Sequence, residues 1–176
     1  MSFEQIVDHI NKWNFDIMKD KFHYVLVHAP SMLGYGTRTI INECVSLMDE
    51  DKIYLEYGSH RGGSLICAAY NNPTKTIIGV DCFDDTYDPP KPEKTAKKQL
   101  YTNISSYSNI RFFEDHFKSF CKQNLINDKS VQIYLHDGGH EYESQYYGIL
   151  DAERFFADEC IILVDDVFNF KNPNVH

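Results

Sequence analysis

The chain predicts an α/β fold: a parallel sheet with helices on both faces. Three observations carry this. Short, almost wholly apolar runs recur along the sequence, as expected of strands covered on both sides. Helix-like stretches lie between them, and that alternation implies right-handed crossovers between parallel strands. Third, Ile53-Tyr-Leu-Glu-Tyr-Gly-Ser-His-Arg-Gly-Gly-Ser-Leu65 reads as a buried strand, a tight turn and a helix start. In open α/β sheets the crevice beside such a turn is where ligands sit.

The elements follow in order. Residues 1–50 form an N-terminal helical cap segment and 51–176 the α/β core, together one domain. In the cap, Phe3–Asp20 places Phe3, Ile6, Val7, Ile10 and Trp13 on one helical stripe. Tyr24–Val27 is a short extended run, Ser31–Gly36 a loop and Thr37–Met48 a helix. Strands are expected at Lys52–Tyr57, Thr76–Asp81, Ile110–Glu114, Val131–Asp137 and Cys160–Asp165. Helices are expected at Gly63–Tyr70, Thr95–Ser106, Phe117–Asn124 and Glu141–Phe156. In the last of these Tyr142, Tyr146, Ile149, Leu150 and Phe156 share a face. Asp84–Glu93 contains Asp88-Pro-Pro-Lys-Pro92, which blocks helix and ladder alike and reads as a loop or flap.

Composition narrows the class. At 176 residues the chain can bury a real core. Its net charge of −9 argues against a nucleic-acid or anionic-membrane surface, both of which call for Lys and Arg. A small-molecule substrate fits better. No apolar run approaches the ~20 residues of a membrane span, and the N-terminus has no signal-peptide pattern. The five cysteines, Cys44, Cys67, Cys82, Cys121 and Cys160, are scattered and odd in number. No disulfide framework or zinc site is expected, and the cytoplasm is the natural compartment.

The chemistry-bearing residues fall at strand ends. Glu56 closes the first strand and Asp81 the second. Asp81 follows Gly58 at close to the ~20-residue spacing at which a carboxylate meets ribose hydroxyls; it is also placed to cap the turn before Phe83. The glycines read Gly58-x-x-x-Gly62-Gly63 rather than Gly-x-Gly-x-x-Gly, which disfavours a nicotinamide dinucleotide. An acid ahead of them suits a ligand with an ammonium group, such as S-adenosyl-L-methionine, whose carboxylate Ser64 or nearby N–H groups would hold. Asp115 and His116 follow the third strand, where an adenine would lie or where a turn is required. Asp137, Asp165 and Asp166 end the fourth and fifth strands. Three adjacent carboxylates repel unless protonated or bridged by a cation, and oxygen ligands favour Mg²⁺, Ca²⁺ or Mn²⁺. His140 would accept a substrate proton, bond backbone at a helix start, or gate the metal; the sequence does not choose. His60 is expected to face solvent.

These residues resemble the class I S-adenosylmethionine-dependent methyltransferases, and within them the metal-dependent macrocin-type and catechol-type O-methyltransferases. The likeness runs from about Ser31 to Val167 and rests on Leu55-Glu-Tyr-Gly-Ser-His-Arg-Gly-Gly-Ser64, Gly79-Val-Asp-Cys-Phe83, His136-Asp-Gly-Gly-His140-Glu-Tyr142 and Val164-Asp-Asp-Val167. It implies a Rossmann-like sheet of order 3-2-1-4-5. It further implies cofactor contacts at Glu56, Gly58, Ser64, Asp81, Asp115 and His116, a Mg²⁺ or similar hard cation on Asp137, Asp165 and Asp166, and methyl transfer to a small hydroxylated substrate. Asp137 and His140 would be the catalytic pair. In the catechol group a lysine base stands where this chain has His140; in the macrocin group an aspartate stands where it has Gly139. The C-terminal β-hairpin usual in these enzymes is not expected here. The apolar fifth strand, read as fully buried, would then need covering by a second copy, making a homodimer, or by the N-terminal segment. A catalytically inactive cofactor-binding or assembly protein, and a metal-dependent hydroxylase or hydrolase using Asp137, His140 and Asp165, are the competing readings.

Overall fold

The computed structural model describes residues 3–12, 32–83 and 93–167. Expectations falling on residues 13–31, 84–92 and 168–176 lie outside the described residues. These include the rest of the first helix, the Tyr24–Val27 run and the proline-rich excursion.

Five strands form one parallel sheet: β1 (Ile53–Tyr57), β2 (Thr76–Asp81), β3 (Ile110–Glu114), β4 (Val131–His136) and β5 (Phe156–Val164). Their order is β3-β2-β1-β4-β5, as expected. The order reverses between β1 and β4, so the crevice of an open α/β sheet opens there. Register places Tyr57 beside both Val80 and His136, so the ends of β1, β2 and β4 reach the same edge.

Seven helical segments accompany the sheet among the described residues. They are α1 (Phe3–Ile10), α2 (Tyr35–Leu47), α3 (Gly63–Ala69), α4 (Glu93–Ile104), α5 (Phe117–Lys122), α6 (Tyr142–Ala152) and a 3-10 turn at Glu153–Phe155. Alternate residues of each central strand feed two cores. On one face Tyr54, Ile77, Ile133 and Leu135 pack with Ile41, Cys44 and Val45 of α2 and Leu65 and Ala68 of α3. On the other, Leu55, Ile78, Val80 and Tyr134 pack with Phe117 and Phe120 of α5, Ala152 of α6 and Phe155. The Asn42 side chain of α2 donates to the Cys67 and Tyr70 carbonyls at 2.7 Å each, satisfying the C-terminus of α3. No helix among the described residues is long and apolar enough to cross a membrane.

Several expectations need correction. The helix ends at Ala152, and Phe156 begins β5 instead, four residues before the expected start. Asp158 and Glu159 hid this strand, because two adjacent acids break an apolar run. They are tolerated since β5 is an edge strand and both are exposed. Nor is β5 fully buried: Ile162 is 41% exposed, and among the described residues no strand pairs with its outer edge.

Of the expected apolar stripe of α6, Ile149 packs against the core, as does Phe156 from β5, but the rest does not. Tyr142, Tyr146 and Leu150 are exposed, while the buried positions are Gly148 and Ala152. Helix and sheet touch through small residues. A Cβ on Gly148 would lie 2.4 Å from the His136 ring, and the Tyr134 hydroxyl donates to the Gly148 carbonyl at 2.9 Å. The large side chains are left to line an apolar groove of about 310 Å³ with Phe156 and Ile162.

Candidate active site

A cavity of about 430 Å³ opens at the switch point, within the usual range for small-molecule sites. Tyr57, Gly58, His60, Asp81, Cys82 and Phe83 form the wall from β1 and β2. His116 continues that wall from the end of β3, and Asp137, Gly138, Gly139, His140, Glu141 and Ser144 form the opposite wall.

Gly58 joins the two walls. Its φ is +91°, and a Cβ there would lie 2.1 Å from the Asp137 carbonyl oxygen. Only glycine permits both the turn and the approach. The Asp137 N–H in return donates to the Tyr57 carbonyl at 2.8 Å, and the Gly58 N–H to the Val80 carbonyl at 2.9 Å. Three strand ends are thereby locked together.

Glu56 lies behind that turn, fully buried. Tyr54 Oη donates to its Oε2 and Ser64 Oγ to its Oε1, both at 2.6 Å. Burial raises its pKa to about 7; the hydrogen bonds from Ser64 and Tyr54 oppose the rise, and Asp81 adds to it. Glu56 does not line the cavity, and the Ser64 hydroxyl is committed to Glu56 rather than free for a ligand carboxylate. Ser64 does line a second space of about 20 Å³ beside Ser59, Gly63 and Asp137, room for about one water molecule.

Asp81 lines the main cavity with both oxygens already engaged. Oδ2 accepts from the His60 N–H and Oδ1 from the Phe83 N–H, each at 2.7 Å. Asp115 does not line the cavity; its Oδ2 accepts from Gln123 Nε2 at 2.7 Å. His116 does line it, at the residue preceding α5.

The β4–β5 side is acidic. Asp137 has its pKa pushed up to about 8 by burial first, then by Glu56, Asp165 and Asp166, with an Asp165 hydrogen bond stabilising the protonated form. Asp166, at φ +54°, turns its carboxylate to His140, with Nδ1 and Oδ2 at 3.2 Å. Of the expected metal residues, Asp137 is raised by the charge of both Asp165 and Asp166, and Asp166 pairs with His140. Among the described residues no three His, Cys, Asp or Glu side chains converge closely enough to hold a metal. The chemistry of the donors nonetheless suits a hard cation, since its charge would relieve the repulsion that raises Asp137.

Several lining residues escape sequence reasoning. Tyr57 stacks on Phe117 with centroids 4.6 Å apart and meets His136 edge-on at 5.0 Å. Its phenol pKa is raised chiefly by burial. A Cβ on Gly138 would come within 2.6 Å of its ring, so the loop after β4 lies directly on Tyr57. The available signal was its place between Glu56 and Gly58. Cys82 and Phe83 likewise follow Asp81 in sequence. His60 corrects an expectation: it is half-buried and lines the cavity, and burial lowers its pKa. Its φ of +45° folds the turn inward, which no residue type announces.

A sequence model of the methyltransferase domain matches residues 55–167. No curated protein matches by sequence. Among solved structures, a Klebsiella pneumoniae protein provisionally described as an O-methyltransferase superposes with a TM-score of 0.65 at 13% identity, over 97% of this chain and 74% of that one. A Staphylococcus aureus protein provisionally described as a caffeoyl-CoA O-methyltransferase gives 0.59 at 12% identity, over 92% and 71%. Cofactor-bound Rv0187 from MTB gives 0.60 at 12% identity, over 81% of this chain and 63% of that one. At these identities the likeness concerns the fold. The matched segment includes every strand end that builds the cavity, and the chain belongs to the methyltransferase-domain family, with the fold of the class I S-adenosylmethionine-dependent enzymes.

Proposed function

We propose that the chain transfers a methyl group from S-adenosylmethionine to a hydroxyl oxygen of a small acceptor. The carrying observation is the division of one cavity between two walls. The β1–β2 wall has an acid, Asp81, where a ribose would lie; the β4–β5 wall has His140 beside a group of carboxylates.

On the donor side, Asp81 keeps lone pairs for ribose hydroxyls beyond the two amides it accepts. Gly58 lets the backbone approach the ligand, and His116 lies on the adenine side with Asp115 behind it. On the acceptor side, His140 Nδ1–H donating to Asp166 leaves Nε2 as the proton acceptor. Asp137 and Asp165 would hold a hard divalent cation, while Asp166 keeps its pairing with His140. When bound, that cation lowers the pKa of the acceptor hydroxyl. The paired walls hold donor and acceptor in line, which is the main demand of this transfer.

Calorimetry with S-adenosylhomocysteine tests the donor side. The parent is expected to bind, and Asp81→Ala to bind roughly tenfold or more weakly. EDTA should abolish methyl transfer while leaving S-adenosylhomocysteine affinity unchanged. Transfer at full rate in EDTA would remove the cation from the mechanism.

A further inference from the structure

The donor wall is built from two residues in an unusual backbone conformation. His60 and Phe83 have φ of +45° and +48°, the left-handed region that residues with a Cβ rarely adopt. They belong to different loops, one after β1 and one after β2. Yet their amides converge on one carboxylate, Asp81, at 2.7 Å each. The Asp81 main-chain carbonyl also accepts the Asp115 N–H at 3.2 Å, drawing in the loop after β3. Phe83 is supported from beyond the site, its ring lying 5.8 Å from that of Phe112. His60, Phe83 and Asp81 all line the cavity.

We infer that Asp81 is a positioning residue, which assembles the donor wall before any ligand arrives by clamping left-handed His60 and Phe83. A carboxylate that only received ribose hydroxyls would point into the cavity with its oxygens free. Here each oxygen accepts one charge-assisted amide bond, the kind strong enough to hold an unfavourable backbone conformation. Each oxygen keeps a lone pair, so ligand hydroxyls add to the clamp rather than displace it. His60 and Phe83 are then contact residues whose placement depends on Asp81. Only the ligand-binding consequence rests on the S-adenosylmethionine reading above.

Amide hydrogen exchange followed by NMR tests the clamp directly. In the ligand-free parent, the His60 and Phe83 amides should exchange roughly 10- to 100-fold more slowly than in Asp81→Ala, the range set by a hydrogen bond to a charged group. Asp81→Asn, which keeps one acceptor oxygen, should retain protection at one of the two amides. It should also recover part of the S-adenosylhomocysteine affinity lost in Asp81→Ala. Should Asp81→Ala not fold, the parent and Asp81→Asn still decide. Unprotected His60 and Phe83 amides in the ligand-free parent overturn the clamp, as does equal affinity loss in both variants with both amides still protected. A parent that shows protected amides but binds no S-adenosylhomocysteine upholds the clamp and refutes the cofactor reading instead.

Discussion

Glu56 stands one residue before the end of β1 and Asp137 directly follows β4, and their surroundings differ. Glu56 is fully buried, and each of its oxygens accepts a hydroxyl within 2.6 Å. Asp137 is half-buried and meets Asp165, with Asp166 and Glu56 adding like charge. The donor half of the site is completed by the protein's own hydrogen bonds. The acceptor half crowds carboxyl groups together, which raises Asp137 to about 8. A carboxylate in the first setting specifies structure, and one in the second is set to respond to whatever binds.

The most severe way to break the comparison is to separate the halves. Gly58→Ala puts a Cβ 2.1 Å from backbone at a left-handed φ. It should destabilise by more than ~4 kcal/mol, since clash and strain add. Urea unfolding within ~1 kcal/mol of the parent would show that the β1 and β4 ends are not locked.

Next in size is the buried acid. Glu56→Ala leaves the Tyr54 and Ser64 hydroxyls without their acceptor, at a cost of about 3 kcal/mol. The pH dependence sharpens this. A carboxyl whose folded pKa is about 7 holds its proton longer in the native state than its unfolded value of 4.5 allows. Its contribution is full below pH 4.5 and is lost as pH rises through 7. Asp137, raised to about 8, acts in the same direction. The parent should therefore be more stable at pH 5 than at pH 8, by up to ~3 kcal/mol from Glu56. Glu56→Gln should flatten the dependence between pH 4.5 and 7. An unchanged slope in that variant would place the effect elsewhere.

The acceptor half should respond in the opposite sense. Asp137→Asn removes a repelled charge, so at pH 8 thermal unfolding should shift upward, by about 1 kcal/mol, while methyl transfer falls at least ~100-fold. A destabilised Asp137→Asn would mean that the carboxylate is satisfied after all. The smallest effect belongs to the rim. His140 and Asp166 are both exposed, so Asp166→Asn should leave stability unchanged and lower the transfer rate only a few-fold by loosening His140. A loss as large as that of Asp137→Asn would instead make Asp166 a ligand of the cation.

Much of this was legible in the residues. Strand ends are marked by the step from apolar run to acid, and Thr76–Asp81 and Ile110–Glu114 coincide with the expected bounds. What escaped shares one cause, that side-chain chemistry does not report the partner. The tyrosines of α6 fit a buried stripe, but Gly148 and Ala152 allowed a closer fit and took the inner face. Ser64 is as suited to a ligand as to Glu56, and three-dimensional proximity assigned it to Glu56.

The sequence by itself determined the parallel α/β sheet and the edge on which the acids gather, while its strand order was implied by the family resemblance. The sheet and that edge follow from hydrophobic period, chain direction and the handedness of crossovers, all local or topological. Only the tertiary structure decided which acids are satisfied and which are not. It also decided that His60 turns inward, that Tyr57 supports the loop after β4, and that Asp81 holds two loops from different strands. Each depends on distances of a few ångströms between segments remote in the chain, and pairing at that range is set by packing rather than by the identity of any one residue.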